Sequence, residues 1–215
     1  MSFHALVDLD GTITDPKPGI IGSYRHALTE LGLHAPPVDD LTWVIGPPLR
    51  HSFPKLGVAP EHVETALEHY RRFYSAGAMF DAPVYAGMPE ALDALRAAGI
   101  KLVLATSKPH VMARPILEHF GLDARFHAIH GAELDGRNDD KGDLLAHIMV
   151  EEGVDPARAV MIGDRLFDVN AAKRHGIPSI GVLWGYGGHA ELTEAGATHL
   201  CAAPQDLAGL VAEVR

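Results

Sequence analysis

The chain has 215 residues, about one and a half domains' worth, so a core domain plus an insert fits and a long multidomain assembly does not. Its 18 Lys and Arg against 28 Asp and Glu give a net charge of −10 with histidines neutral, which argues against nucleic-acid partners, since non-specific binding depends on basic side chains meeting phosphates. The single cysteine, Cys201, rules out a disulfide framework within the chain and a Cys-rich zinc site, and it suits a reducing cytoplasm.

The first expected element is a buried strand over Phe3–Val7. The opening run MSFHALVDLDGT turns acidic where a secretory leader would stay apolar, and no later stretch approaches the roughly 18 apolar residues of a membrane span. A soluble, cytoplasmic chain is therefore expected, without a membrane partner. From about Pro18 to Phe80 no buried strand is expected, because Trp43–Ile45 is too short and abuts Pro47 and Pro48. Two helical patterns, Ile20–Leu31 and Pro60–Ser75, flank a Pro/Gly-rich loop there. The second carries Val63, Leu67, Tyr70 and Tyr74 at helical spacing. Pro16, Pro18 and Gly19 mark one border, and Pro83, Gly87 and Pro89 the other. Residues 16–83 thus read as a helical insert in a core made of 1–15 and 84–215; an irregular helical flank of a single domain is the alternative.

Beyond the insert, helices alternate with short apolar runs. Helices are predicted over Pro89–Ala98, His110–Phe120 (stopped by Gly121), Gly142–Glu152, Asp168–His175 and Gln205–Val214. Strands are predicted at Ile100–Ala105, Ala159–Ile162 and Ser179–Leu183, with weaker ones at Phe126–Ile129 and Thr198–Ala202. The main runs are nearly continuous in Val, Ile, Leu and Ala, as strands covered on both faces must be. The alternation predicts an α/β fold with a largely parallel sheet.

The strand ends carry the chemistry. The first leads into Asp8-Leu9-Asp10-Gly11-Thr12, and residues two apart on an extended chain point the same way. Asp8 and Asp10 can therefore converge where open α/β sheets place ligands. Two such close carboxylates repel unless a proton or cation is present, and Mg²⁺ is a hard ion suited to oxygen ligands; a solvated acidic turn is the other reading. A later strand ends Gly163-Asp164-Arg165-Leu166-Phe167-Asp168, a second pair of acids one helical turn apart, although Asp168 could simply cap its helix. The strand before it ends Ala105-Thr106-Ser107-Lys108, with a hydroxyl beside the free N–H groups of a helix start, a phosphate-binding arrangement. Lys141 opens a helix, where a positive charge is disfavoured. An anion or a carboxylate would explain it, and otherwise it is a surface lysine. Two acid pairs, a hydroxyl and a lysine at one sheet edge suit Mg²⁺ and a phosphoryl group together.

In this order and spacing the motifs resemble the haloacid dehalogenase-like phosphohydrolases. Ile45-Gly46-Pro47-Pro48-Leu49-Arg50, Ala105-Thr106-Ser107-Lys108-Pro109 and Gly181-Val182-Leu183-Trp184-Gly185-Tyr186-Gly187 are similar to stretches of the phosphoglycolate phosphatase-like and 5′-nucleotidase-like branch. The resemblance implies a Rossmann-like core with a helical cap inserted after the first strand, and hydrolysis of a small phosphate ester by a monomer or homodimer. Asp8 would be the nucleophile, forming an aspartyl-phosphate, and Asp10 the acid and then the base. Thr106 would hold a phosphoryl oxygen, and Lys141 would offset negative charge. Mg²⁺ would be bound by Asp8, Asp164 and the backbone carbonyl of Asp10, with Asp168 orienting Lys141 or a metal-bound water. Gly11, Ser107 and Lys108 would line the substrate, and Arg50 would meet its anionic group unless it is only a surface arginine.

Other chemistries fit less well. A dehalogenase needs no leaving-group acid such as Asp10. A phosphonate hydrolase would want a Schiff-base lysine in the insert, where Lys55 is the interior candidate. A phosphomutase shares the first steps and stays open. A receiver-type phospho-acceptor is about one small domain long and has no insert. The 14 histidines are scattered; His127 and His130 are expected on a strand and its exit, pointing to opposite faces, so zinc is not expected. Gly185-Tyr186-Gly187-Gly188 lacks the dinucleotide-binding pattern and reads as a flexible loop near the site.

Overall fold

All five residues of Phe3–Val7 are buried, so the strand they form needs cover on both faces. The structure, a computed structural model describing residues 2–215, makes them β1 of a six-stranded sheet in the order β3-β2-β1-β4-β5-β6. The other strands are β2 (Ile100–Pro109), β3 (Ala128–Ala132), β4 (Ala159–Gly163), β5 (Ser179–Val182) and β6 (His199–Cys201). Every pairing is parallel. The chain runs outward from β1 first one way, then the other, so β1 and β4 meet where the topology reverses. Val7 is in register with Leu104 on one side and with Ile162 on the other. The carboxyl ends of three strands are therefore level at the crevice where such sheets bind ligands.

The chain divides into two compact units, one of them Asp15–Pro83 and the other the remainder. The smaller unit contains α1 (Lys17–Glu30), α2 (Leu49–Lys55) and α3 (Val63–Ser75), with a 3-10 turn over Val38–Val44. Tyr24, Phe53, Tyr70 and Tyr74 are buried in it, with ring centroids 4.9 to 6.3 Å apart, so these aromatics are packing. Phe73 instead lies on the surface of α3, stacked on His26. Gly19 of α1 has to be glycine, because a Cβ there would run into the carbonyl of Ala78.

The larger unit adds α4 (Met88–Ala97), α5 (His110–His119), α6 (Lys141–Glu151), α7 (Leu166–Arg174), α8 (Gly188–Ala195) and α9 (Leu207–Val214). On one face of the sheet Leu6, Val103, Ala105 and Met161 interlock with Leu144, Leu145 and Ile148 of α6 and with Ala171 and Ala172 of α7. Each fully buried Leu or Ile there stabilises the fold by about 1.5–3 kcal/mol relative to exposure. Where the smaller unit begins and ends, the core closes on itself: Thr14 forms a bridge with Val84, and the Tyr85 N–H donates to the Ile13 carbonyl.

Several elements differ from expectation. β2 runs on to Pro109, and β3 begins at Ala128 rather than Phe126. The stretch expected as a Pro/Gly loop holds α2, a single short helix with Pro54 inside it. α8 was not expected at all; its one buried side chain is Leu192, so no apolar periodicity marks it. No helix among the described residues is long and apolar enough to cross a membrane.

Candidate active site

Asp8 follows β1 directly, and its N–H donates to the Ile162 carbonyl of β4, which fixes its direction at the crevice. Asp164 follows β4, is fully buried, and accepts a hydrogen bond from the Tyr186 N–H at 2.7 Å. Asp168 stands in the first turn of α7, where its Oδ2 accepts from the Arg165 N–H at 3.1 Å. It is thus a helix cap and a site residue at once. One carboxylate oxygen from each of Asp8, Asp164 and Asp168 lies within 4.8 Å of the others.

Lys141 answers these charges. Its Nζ is 2.8 Å from Asp8 Oδ1 and 2.9 Å from Asp168 Oδ1. Asp140 is the N-cap of α6, accepting from the Asp143 N–H at 3.0 Å, so the helix begins where the lysine must point inward. Burial opposes a charged Lys141, but the carboxylates of Asp168 and Asp8 outweigh it and hold the ammonium above its ordinary value. Burial raises Asp164 well above the usual carboxyl range, and the charges of Asp168 and Asp8 add to it. Asp168 is pushed up to about 6, by burial first, with Lys141 pulling it back and Asp8 pushing it further.

Asp10 has a different partner. Its two oxygens lie 2.9 and 2.8 Å from the Nζ of Lys108 at the end of β2. Burial raises its carboxyl, and Lys108 only partly opposes that. Thr106, also buried, accepts from the Lys108 N–H through its Oγ1 at 3.2 Å. Ser107 beside it is half-buried.

The glycines around Asp164 are as constrained as the acids. Gly11 has φ +82°, and a Cβ on it would collide with the Asp164 carboxylate; on Gly185 it would meet the Asp164 side chain, and on Gly187 the Asp164 carbonyl. The Gly187 N–H donates to that carbonyl, and Trp184 Nε1–H donates to the Thr12 carbonyl. In the stretch 185–188, expected to be a flexible loop, Tyr186 and Gly187 are therefore tied against Asp164.

If all three carboxyls ionise, they exceed the one ammonium beside them by two negative charges. An all-oxygen, buried donor set with that excess fits a hard divalent cation such as Mg²⁺. The acid cluster holds Asp8 and Asp164 of the expected ligands with Asp168 beside them, while the Asp10 side chain is engaged by Lys108, which leaves its backbone carbonyl, the expected donor, unaffected. Arg50 lies in the smaller unit, half exposed and ion-paired with Glu64, a contact that no sequence pattern indicated.

Comparison with known proteins adds an independent line. Residues 5–182 match the haloacid dehalogenase-like hydrolase family. A protein named 5'-nucleotidase from Pseudomonas aeruginosa is 42% identical over 208 residues, 96% of this chain and 93% of that protein. Tyrosine-protein kinase PtkA of Mycobacterium tuberculosis is 42% identical over 182 residues, covering 85% of this chain and 62% of PtkA. A phosphoglycolate phosphatase of Agrobacterium fabrum is 34% identical over 85% of this chain and 81% of its own length. A crystal structure described as a predicted phosphatase from Clostridium acetobutylicum superposes with a TM-score of 0.93 at 36% identity, over 99% of this chain and 100% of that one. Agreement in fold, in sequence over nearly the full length and in the acids at two neighbouring strand ends has one explanation: the chain belongs to the haloacid dehalogenase-like hydrolase family.

Proposed function

We propose that the chain is a Mg²⁺-dependent phosphomonoesterase that hydrolyses a small phosphorylated metabolite, a nucleoside 5′-monophosphate or a phosphoglycolate-like ester, through an aspartyl-phosphate. The observation that carries this reading is the convergence of Asp8, Asp164 and Asp168 at the junction of β1 and β4, with Lys141 paired to Asp8 and Asp168 and Asp10 held separately by Lys108. Asp8, bound on one oxygen by Lys141, attacks phosphorus, and the bond from phosphorus to the ester oxygen breaks. Asp10 gives its proton to the departing oxygen, a role that suits a carboxyl raised by burial. Water then attacks the acyl phosphate, Asp10 takes up the water's proton, and the bond from Asp8 to phosphorus breaks. Inorganic phosphate leaves and the Asp8 carboxylate is restored.

Thr106 donates its hydroxyl proton to a phosphoryl oxygen, and Ser107 and the Gly11 turn complete the cradle. Lys141 lets an anion approach an anion. Asp8, Asp164 and the Asp10 carbonyl, with Asp168 alongside, would hold Mg²⁺, which would supply positive charge to the phosphoryl oxygens. Uncatalysed phosphate-monoester hydrolysis is among the slowest reactions that enzymes face, and fixed charges aimed at the transferring group are the largest lever on it. Residues 15–83 take the part of the cap and choose the substrate, with Arg50 a candidate contact for an anionic group once it releases Glu64.

A phosphometabolite panel with Mg²⁺, comparing wild type and Asp8→Asn, tests this reading. Steady release of inorganic phosphate by the wild type and none by a folded Asp8→Asn variant is expected. Turnover retained in that variant overturns the nucleophile. The similarity to PtkA favours a second acceptor to be checked: a labelled phosphoryl group found on tyrosine or a sugar hydroxyl, with none on water, would replace hydrolysis by transfer.

A further inference from the structure

We propose that Glu191 of α8 is a positioning residue of the acid site: it fixes the Arg165–Leu166 segment between Asp164 and Asp168, and with it the affinity of those acids for Mg²⁺. This rests on the reading of Asp8, Asp164 and Asp168 as a cation site; Glu191 itself stands outside that cluster.

One carboxylate holds two successive residues of the segment. Glu191 Oε1 accepts from the Arg165 Nε–H at 2.9 Å and from the Leu166 N–H at 2.8 Å, and its Oε2 accepts from Arg165 Nη2 at 3.5 Å. Leu166 opens α7, so its N–H is one of the groups that a helix start leaves without an intrahelical partner. The helix dipole favours an anion at that place. The guanidinium contact is charge-assisted, about twice as strong as a neutral hydrogen bond, between side chains only 13% and 24% exposed. The segment so held is short. Arg165 follows Asp164 directly, and its N–H donates to Asp168 Oδ2, so a shift of Arg165 turns both acids.

The approach to α8 grips Asp164 as well. Tyr186 and Gly187, which lead into the helix, donate their N–H groups to the Asp164 carboxylate and carbonyl. A Cβ on Gly187 would meet both the Asp164 carbonyl and the Glu191 carboxylate, so loop and helix close on one spot. Leu192 is the one buried side chain of α8, which leaves its alignment against the start of α7 to polar contacts such as these.

Charge gives the contact a sign. The Arg165 guanidinium is near enough to Asp164 to act on its carboxyl, so an unpaired Arg165 would repel a cation at the cluster. Glu191 offsets that charge. Loss of the carboxylate frees the segment and turns a positive neighbour loose on the cation site, and both effects weaken binding.

The test is calorimetric titration of the full chain with Mg²⁺, comparing wild type, Glu191→Ala and Glu191→Gln, the last also in an Arg165→Ala background. One Mg²⁺ per wild-type chain is expected, bound at least tenfold more weakly by Glu191→Ala, as for other groups that orient metal ligands. Glu191→Gln keeps an acceptor for the Leu166 N–H and should lose less. In the Arg165→Ala background the Gln substitution should change the affinity by less than about twofold, because its effect runs through the guanidinium. A role confined to stability would shift the melting midpoint in EDTA and leave this pattern of affinities flat. Should Glu191→Ala fail to fold by circular dichroism, Glu191→Gln decides by the same comparison. Affinity equal to wild type in the Glu191 variants, or an equal loss from Glu191→Gln with and without Arg165, overturns the proposal alone. A wild type that binds no Mg²⁺ overturns the cation-site reading and the proposal with it.

Discussion

Replacing Lys141 by Met keeps the length of the side chain and removes its charge. The ammonium sits 2.8 Å from Asp8 and 2.9 Å from Asp168, and the three side chains are 5%, 12% and 3% exposed. Removing one partner of a buried ionic group costs about 3–5 kcal/mol, because the other charges are left uncompensated. At about 2–4 °C per kcal/mol for a protein of this size, the midpoint should fall by about 6–20 °C in EDTA at pH 7.5. The cost should depend on protonation. Without Lys141, the carboxyl of Asp168 rises above its value of about 6, so at pH 5 it is neutral and the part of the loss that its charge carries disappears. Added Mg²⁺ should recover stability at pH 7.5 by the same logic. Thermal denaturation of both proteins at the two pH values, with and without Mg²⁺, measures all of this. A loss below about 1 kcal/mol, or one equal at pH 5 and 7.5, would refute the account of Lys141 as the counter-charge of the acid cluster.

Three further outcomes follow from the same geometry. In the metal-free protein, burial raises Asp168 from 3.8 to about 6, so the folded chain binds a proton that the unfolded chain has released. Stability should then fall as pH rises across that interval, by about 3 kcal/mol. Melting curves in EDTA check this, and a rise over the same interval contradicts it. Gly185→Ala places a Cβ against Asp164; the expected result is a destabilisation of about 1–3 kcal/mol with Mg²⁺ affinity weakened at least tenfold, read by calorimetry. Lys108→Met removes the group that opposes the burial-driven rise of Asp10. The limb of the kcat profile that Asp10 sets should move to higher pH, and a lower rate with an unmoved profile would count against Lys108 as its partner.

What could be read from the sequence follows the reach of local rules. Asp8 and Asp10 share a direction because extended chains alternate, and Asp164 and Asp168 share one because a helix turn separates them; both relations are local. That β1 and β4 are neighbours depends on strand order, which the motif order suggested and a register now specifies. Lys141 was conspicuous because a cation at a helix start needs a reason, and Asp8 and Asp168 provide it. Lys108 and Asp10 are 98 residues apart, and no periodicity connects them. Asp168 looked like a supporting residue because its capping role is local, while its place beside Asp8 and Asp164 is not. The cradle of Gly185 and Gly187 was equally hidden, since a glycine-rich stretch reads as mobile until its neighbour is known. His127 lies just before β3, outside the alternation applied to it, so both it and His130 come to lie beside Glu152.

The bridge between Thr14 and Val84 makes the catalytic half a closed ring before the helical excursion is counted. Chain ends already a hydrogen bond apart can accept a longer or shorter segment at small entropic cost, about 0.6 kcal/mol for each doubling of its length. What is grafted at that seam can therefore be exchanged without disturbing the acids on the sheet, and on the proposed role of residues 15–83 such an exchange would change which molecule is admitted. A short Gly-rich turn spliced from Thr14 to Val84 should yield a minimal enzyme that keeps its acids in place and loses its choosiness.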